Sequence, residues 1–317
     1  MKIAFLGTPD ISAYVLQDLY DKGFDIKWVA TQPDRESGRG RKLTSSPVKE
    51  KALSLNIDVL QTQVFDPQFF DKIKEYGEID LAIVIAYGLY IPTYFLNYPK
   101  HSCLNIHFSL LPKYRGAAPV ARAIMNGEKQ TGITIMELVK EMDAGNIIAQ
   151  ESVDINLDDT TQSLTWSLVK KGADLLVKTI TPYVEGKINP ITQQSVGVEA
   201  SYANKIQAEE KSINWDQDAL SIHNKIRALY PWPVSEVKMN GTVLKLIKTR
   251  PGVALGSEEA KAPNGSVLSV DRKAGFFAVK TGSGVLLVEK VQPSGKKEMT
   301  VPEFLNGHEI NKGMRLE

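Results

Sequence analysis

The stretch Asn105-Ile106-His107-Phe108-Ser109-Leu110-Leu111-Pro112 concentrates side chains able to do chemistry. Asn105 and His107 lie two residues apart, so on an extended segment both side chains leave the same side. An amide donor and an imidazole then stand next to each other. Asp143, in Met142-Asp143-Ala144-Gly145, offers a carboxylate from a later loop. These three groups suit acyl transfer: two can stabilise a developing oxyanion, while the third helps move a proton. A lone Asn-x-His is more often part of an ordinary loop, and a lone Asp-x-Gly is usually a turn. The combination with Ser109-Leu110-Leu111-Pro112 is what singles them out. His101, His223 and His308 lack such neighbours and read as structural or surface residues.

Strands and helices that alternate from the first residue must position these groups. Lys2–Leu6, Lys27–Thr31, Asp58–Leu60 and Asp80–Ala86 read as strands, with helices at Ile11–Tyr20, Pro47–Leu55 and Pro67–Tyr76. The near-continuous apolar run Asp-Leu-Ala-Ile-Val-Ile-Ala at 80–86 belongs to a strand covered on both faces, as in parallel sheets. This alternation predicts an α/β domain with a doubly wound, mainly parallel Rossmann-like sheet. His101–Ile106 is a further strand, and in such a sheet the carboxyl ends of strands face the ligand crevice. Asn105 and His107 therefore sit at that crevice. Strands at Thr131–Leu138 and Ile147–Ile155 flank the loop that carries Asp143, and a long helix at Thr160–Tyr183 follows.

From Val184 the pattern loosens, and residues 190–208 read as a linker between a domain at 1–189 and another at 209–317. One helix, Ala219–Leu229, opens the second domain. Short strands then follow, broken at Asn240-Gly241, Asn264-Gly265 and Gly282-Ser283-Gly284, which predicts a small OB-like β-barrel.

With 317 residues, 38 basic and 37 acidic, the chain is long enough for two ordinary cores and has a net charge of +1. Any affinity for nucleic acid must then be local. Residues 209–317 carry a surplus of only three positive charges. The segment Arg35–Lys51 is a stronger candidate, with six basic and two acidic residues, although such a run is usually a solvated face. The one cysteine, Cys103, cannot form an internal disulfide and reads as a small buried hydrophobe. No Gly-x-Gly-x-x-Gly follows the first strand and there is no Walker-type lysine loop, which disfavours nicotinamide and nucleoside-triphosphate enzymes. No stretch has the ~18 apolar residues of a membrane helix, and the opening apolar run is too short for a signal peptide, so a cytoplasmic location is expected.

The pattern Asn105-x-His107-x-Ser109-Leu110-Leu111-Pro112, followed by Asp143, resembles the signature of the folate-dependent formyltransferases. Phe5-Leu6-Gly7-Thr8-Pro9-Asp10, Thr31-Gln32-Pro33-Asp34, Gly38-Arg39-Gly40, Ala86-Tyr87-Gly88, Tyr114-Arg115-Gly116-Ala117-Ala118-Pro119 and Pro231-Trp232-Pro233 are similar to the branch that acts on methionyl-tRNA. Phe108 departs from the glycine or proline common at its position.

The resemblance implies the formyltransferase fold, 10-formyltetrahydrofolate as formyl donor and initiator methionyl-tRNA as acceptor. It implies that Asn105 and His107 donate to the oxyanion, that Asp143 assists the proton, and that no metal is needed. It further implies a pterin slot lined by Ala86, Tyr87, Gly88 and the loop from Val139 to Asp143. Ser109, Leu110, Leu111 and Pro112 would supply backbone contacts nearby. Arg39, Arg41 and Lys42 would enter the acceptor stem, with Lys245, Lys248 and Arg250 as weaker candidates on the barrel. A monomer is the default expectation.

Two other readings stay open. Another folate formyl enzyme, such as a glycinamide ribonucleotide transformylase, a sugar-amine formyltransferase or a 10-formyltetrahydrofolate hydrolase, shares the Asn/His/Asp logic. It would need neither the basic loop nor the barrel. A non-catalytic RNA-binding protein would use both of those, but it leaves the three polar groups unexplained.

Overall fold

Seven strands make the first sheet of the computed structural model, which describes residues 1–37, 42–252, 256 and 260–317. They are Lys2–Gly7 (β1), Asp25–Thr31 (β2), Asp58–Gln61 (β5), Leu81–Ile85 (β6), Ser102–His107 (β7), Gln130–Glu137 (β8) and Ile147–Asp154 (β9). Their order is β5-β2-β1-β6-β7-β8-β9. The run from β5 to β7 is parallel and β8 is antiparallel to β7. Successive strands lie on either side of β1, so the order reverses there. A crevice at that switch point opens beyond the carboxyl ends of β1 and β6. All five β6 residues are buried, as the apolar run predicts.

Helix starts follow from local chemistry. Ser46 caps Pro47–Ser54 (α2) by accepting from the Lys49 N–H, and Asp66 caps Pro67–Lys74 (α3) by accepting from Phe69 N–H. Proline takes the first position of each helix, where its missing N–H costs nothing. Asp10–Asp21 (α1), Thr93–Leu96 (α4), Pro119–Met125 (α5) and Thr161–Val184 (α6) complete the set before residue 190. Trp28 is fully buried beside Phe95, with ring centroids 6.3 Å apart. Truncating such a side chain to alanine costs about 3–5 kcal/mol. Cys103 lies in the same core and is buried, as read from the sequence.

Between β2 and β5, the strands Arg35–Ser37 (β3) and Lys42–Thr44 (β4) pair antiparallel. Arg39 and Arg41 lie outside the described residues; Lys42 is exposed.

The later strands are Glu236–Met239 (β10), Thr242–Gly252 (β11), Val267–Asp271 (β12), Phe276–Lys280 (β13), Val285–Pro293 (β14) and Met299–Thr300 (β15). They form an antiparallel sheet ordered β10-β11-β14-β13-β12, with β15 on β14. Asn240 and Gly241 both have positive φ, 50° and 76°, as a tight hairpin demands. Gly282–Gly284 turns β13 into β14, whereas Asn264-Gly265 leads into β12 and joins no hairpin. The last residues do unforeseen work. Leu316 bridges Met239, and Arg315 bridges Ser266, so the chain's end lies between β10 and the entry to β12. Ala219–Ala228 (α7) lays Ile222 and Ile226 on the core of Leu246, Phe277 and Val288; a final turn is Val301–Phe304 (α8).

Contacts gather into two compact units whose boundaries differ from those read in the sequence. One comprises Met1–Gly116, Thr131–Asp154 and Thr165–Ala203; the other Ala117–Gln130, Ile155–Leu164 and Asn204–Glu317. The reason is bonding that composition does not show. In the second unit, Arg122 of α5 grips Glu210 through two bonds of 2.6 and 2.9 Å. Thr161 Oγ1 donates to the Ala228 carbonyl at 2.6 Å, and Arg227 donates to the carbonyls of Asn156 and Asp159 at 3.0 and 2.7 Å. Residues 190–203 are not a loose linker: Ile191 pairs with Ile147, and Gln193 is 2% exposed. No described helix is long and apolar enough to cross a membrane.

Candidate active site

Asn105 lies in β7 between Val84 of β6 and Met136 of β8, with His107 at the strand's end. Their two-residue spacing puts both on one face, as the extended geometry predicts. The Asn105 side chain forms no hydrogen bond to a described residue and faces a cavity of about 550 Å³. Ala86, Tyr87, Gly88, Leu138, Val139 and Asp143 also line that cavity. Most of the wall is apolar, with a few polar groups converging on it, which is the usual make-up of a small-molecule site.

His107 is 5% exposed, and its orientation is set by one bond, Nε2 to the Tyr114 carbonyl at 2.9 Å. A carbonyl only accepts, so Nε2 carries the proton and Nδ1 is the nitrogen turned towards Asp143. Nδ1 lies 3.7 Å from Asp143 Oδ2. That oxygen accepts the Gly116 N–H at 2.8 Å, while Oδ1 is bonded to no described residue.

Asp143 has φ of +49°, in the left-handed region that few residues other than glycine adopt. Such strain persists only where surrounding bonds over-determine it. Those bonds come largely from Gln193, whose Nε2 donates to the carbonyls of Asp143 and Gly145 at 2.8 and 2.9 Å. A side chain at Gly145 would collide with the Glu137 carbonyl, so the turn closes tightly against β8. Gly116 has φ of +118°, and a Cβ there would lie 2.8 Å from the Ala203 carbonyl.

The opposite wall is held in the same manner. The Tyr87 carbonyl accepts from Thr8 Oγ1 at 2.8 Å and Gln32 Nε2 at 2.9 Å, fixing the Ala86–Gly88 turn. Ala86 and Gly88 have φ of 45° and 79°. Gln32 stands where a Gly88 side chain would be. Burial pushes the Tyr87 phenol well above its ordinary range. Asp34 binds Lys49 at 2.7 Å and Gln61 at 2.8 Å, anchoring the base of the basic segment.

Of the residues read from the sequence, Asn105, Ala86, Tyr87, Gly88, Val139 and Asp143 meet in one cavity, and His107 joins them through Asp143. Ser109, Leu110, Leu111 and Pro112 are not among the described lining residues of that cavity. Ser109 is fully buried and donates to the Lys113 carbonyl at 2.6 Å. Leu111 is tied to Thr134 and Gln150, and Leu110 fills the space beside Gly132. Pro112 borders a separate groove with Arg115 and Gln193. Their backbone is spent on holding the loop after β7. Phe108 lies by Gly172 of α6, away from the cavity lining. On the second unit, Lys248 and Arg250 are both drawn to Glu289, at 3.2 and 2.6 Å; Lys245 is half-buried. Tyr114, Gly116 and Gln193 escaped the sequence reading as site residues, although the Tyr114-Arg115-Gly116 motif was visible.

Comparison with known proteins decides between the open readings. Residues 1–180 match the formyl transferase family and residues 205–309 its C-terminal domain family. A methionyl-tRNA formyltransferase of Clostridium novyi is 41% identical over 98% of both chains. That of Halalkalibacterium halodurans is 42% identical over 97% of this chain and 95% of its own.

The chain belongs to the methionyl-tRNA formyltransferase family.

Among solved structures, the N-formyltransferase of Helicobacter canadensis, in complex with folinic acid and dTDP-3-aminofucose, superposes with a TM-score of 0.67. That match covers 92% of this chain and 99% of the other at 22% identity, a likeness of fold. The predicted architecture, a mainly parallel α/β domain and an antiparallel β domain, is thus that of the formyltransferases.

Proposed function

We propose that this formyltransferase moves the formyl group of 10-formyltetrahydrofolate to the α-amine of methionine on initiator methionyl-tRNA. The observation that carries the catalytic half is that Asn105 and Asp143 line one mostly apolar cavity while His107 stands 3.7 Å from Asp143. Tyr87, Leu89, Ile91, Leu138 and Val139 offer the flat apolar surface that a pterin ring needs, and about 550 Å³ accommodates one. The acceptor half is supported by full-length relatives bearing that name and by the basic segment beside β2.

The amine attacks the formyl carbon, giving a tetrahedral centre with a positive nitrogen and a negative oxygen. The Asn105 amide donates to that oxygen. His107 donates to it only from Nδ1, because Nε2–H is committed to Tyr114. The ring that does so is therefore the imidazolium, with Asp143 Oδ2 across 3.7 Å to balance its charge. Asp143 Oδ1 takes the proton from the attacking nitrogen and returns it to N10. The C–N10 bond then breaks, the oxygen re-forms its double bond, and the products are the formamide and tetrahydrofolate. Donors fixed before the reaction stabilise such an oxyanion without reorganisation.

The test is transfer of an isotopically labelled formyl group from the donor to the methionine of charged initiator tRNA. Label on the α-amine, lost in His107→Ala and Asp143→Ala, supports the reading; label released only as formate overturns it.

A further inference from the structure

Gln193 is a buried polar side chain that makes four hydrogen bonds. Nε2 donates to the carbonyls of Asp143 and Gly145 at 2.8 and 2.9 Å; Oε1 accepts from Arg115 Nε and Nη2 at 3.0 and 2.7 Å. It thereby ties two loops together. One carries Asp143. The other carries the Tyr114 carbonyl that orients His107 and the Gly116 N–H that holds the Asp143 carboxylate. The second loop is itself fixed by residues 201–203: Ser201 Oγ accepts from Tyr114 N–H at 2.9 Å, Arg115 N–H donates to the Ser201 carbonyl at 2.8 Å, and Ala203 N–H to the Arg115 carbonyl at 2.7 Å.

We infer that Gln193 is a positioning residue for formyl transfer, setting the distance and angle between Asp143 and His107 through the backbone on either side of them. It touches neither reacting group. Three observations point to positioning rather than ordinary packing. Asp143 is held at positive φ, a conformation that relaxes when its carbonyl is released. The two carbonyls that Gln193 Nε2 holds flank Ala144 in that same turn. And an amide is the side-chain type required, since one end must donate to two carbonyls while the other accepts a guanidinium fork. A carboxylate would satisfy Arg115 alone, and a methionine neither end. A displacement of about 1 Å in a reacting group costs on the order of 10²-fold in rate.

This inference rests on the proposed formyl transfer, and its experiment separates the two. Wild type, Gln193→Met, Gln193→Glu and Asp143→Asn are assayed for formylation of charged initiator tRNA, with thermal unfolding and 5-formyltetrahydrofolate binding measured alongside. A wild type inactive on tRNA defeats the function and says so before any variant is read. With an active wild type, the expected result is a fall in kcat of about 10²-fold in both Gln193 variants. Folate affinity should fall far less than kcat, because the 86–91 wall is untouched. In the Asp143→Asn background Gln193→Glu should add almost nothing, since with its Arg115 pairing kept it acts through the Asp143 turn. The inference is overturned if Gln193→Glu keeps wild-type kcat, which would make the Arg115 pairing the whole role. It is equally overturned if both variants lower the unfolding temperature while kcat per folded molecule is unchanged. If Gln193→Met does not fold, Gln193→Glu alone, with its Arg115 pairing intact, decides the matter by the same readout.

Discussion

His107 and Asp143 face one another across 3.7 Å, and a single three-residue segment holds both, through the Tyr114 carbonyl on the ring and the Gly116 N–H on the carboxylate. Neither side chain is therefore free to choose its orientation. Backbone groups hold them against one another, and Asp143 lines the same cavity as Asn105, whose side chain has no hydrogen bond to a described residue.

Asn105→Ala removes one oxyanion donor and leaves no partner stranded. We expect kcat to fall by about 10²–10³-fold with the KM for the formyl donor little changed. Steady-state kinetics at varied donor concentration checks this. A purely elevated KM would place Asn105 in ground-state binding instead.

Gly145→Ala drives a methyl group into the Glu137 carbonyl. The turn that carries Asp143 must open, so we expect a loss of roughly 1–3 kcal/mol in stability together with most activity. Thermal unfolding and initial rates on one preparation measure both. A variant as stable and active as wild type would show that the turn is not under this constraint.

Burial holds the His223 imidazole below its ordinary value; the bond to the Leu157 carbonyl opposes that shift and the Arg227 charge adds to it. The unfolded chain thus binds the proton more readily than the folded one. Stability is fully present above about pH 6.5 and is lost as the pH falls from there towards the depressed folded value. In His223→Gln, which keeps a polar group but does not titrate, the unfolding temperature should fall less between pH 7 and 5 than in wild type. Parallel curves for the two proteins would refute the assignment.

Replacing Arg39, Arg41 and Lys42 by alanine should raise the KM for charged tRNA and leave affinity for the formyl donor unchanged. If each meets a phosphate, the slope of log affinity against log salt should drop by about one per residue removed. Titration of tRNA binding at several salt concentrations reads this directly. An unaltered slope would mean that the segment is only a solvated face.

What the sequence made legible follows from side-chain type and periodicity. The apolar strand at residues 81–85 and the Asn240-Gly241 hairpin announce themselves, and so does the Asn105/His107 pair with Asp143. What stayed hidden is carried by main-chain atoms, which every residue has. Tyr114 orients His107 with its carbonyl, and Gly116 holds Asp143 with its N–H, so neither hydrogen bond is made by a side chain of those two residues. Residues 190–203 lack periodicity because their bonds run to distant loops, not along a helix or a strand; the composition therefore read as a linker. Ser109–Pro112 is a conspicuous motif near the site whose groups form bonds within the loop itself and to Gln150. The closing of the β10–β12 gap by residues 315–316 carries no pattern at all.

The most direct measurement compares acceptors. Rates of formyl transfer from 10-formyltetrahydrofolate are determined for charged initiator methionyl-tRNA, free methionine esters, amino sugars and water under one set of conditions. The kcat/KM for the charged tRNA is expected to exceed that for every other acceptor by several orders of magnitude and to collapse in Asp143→Ala. Efficient transfer to an amino sugar or to water, with none to the charged tRNA, would leave the catalytic centre standing and contradict the function assigned to it.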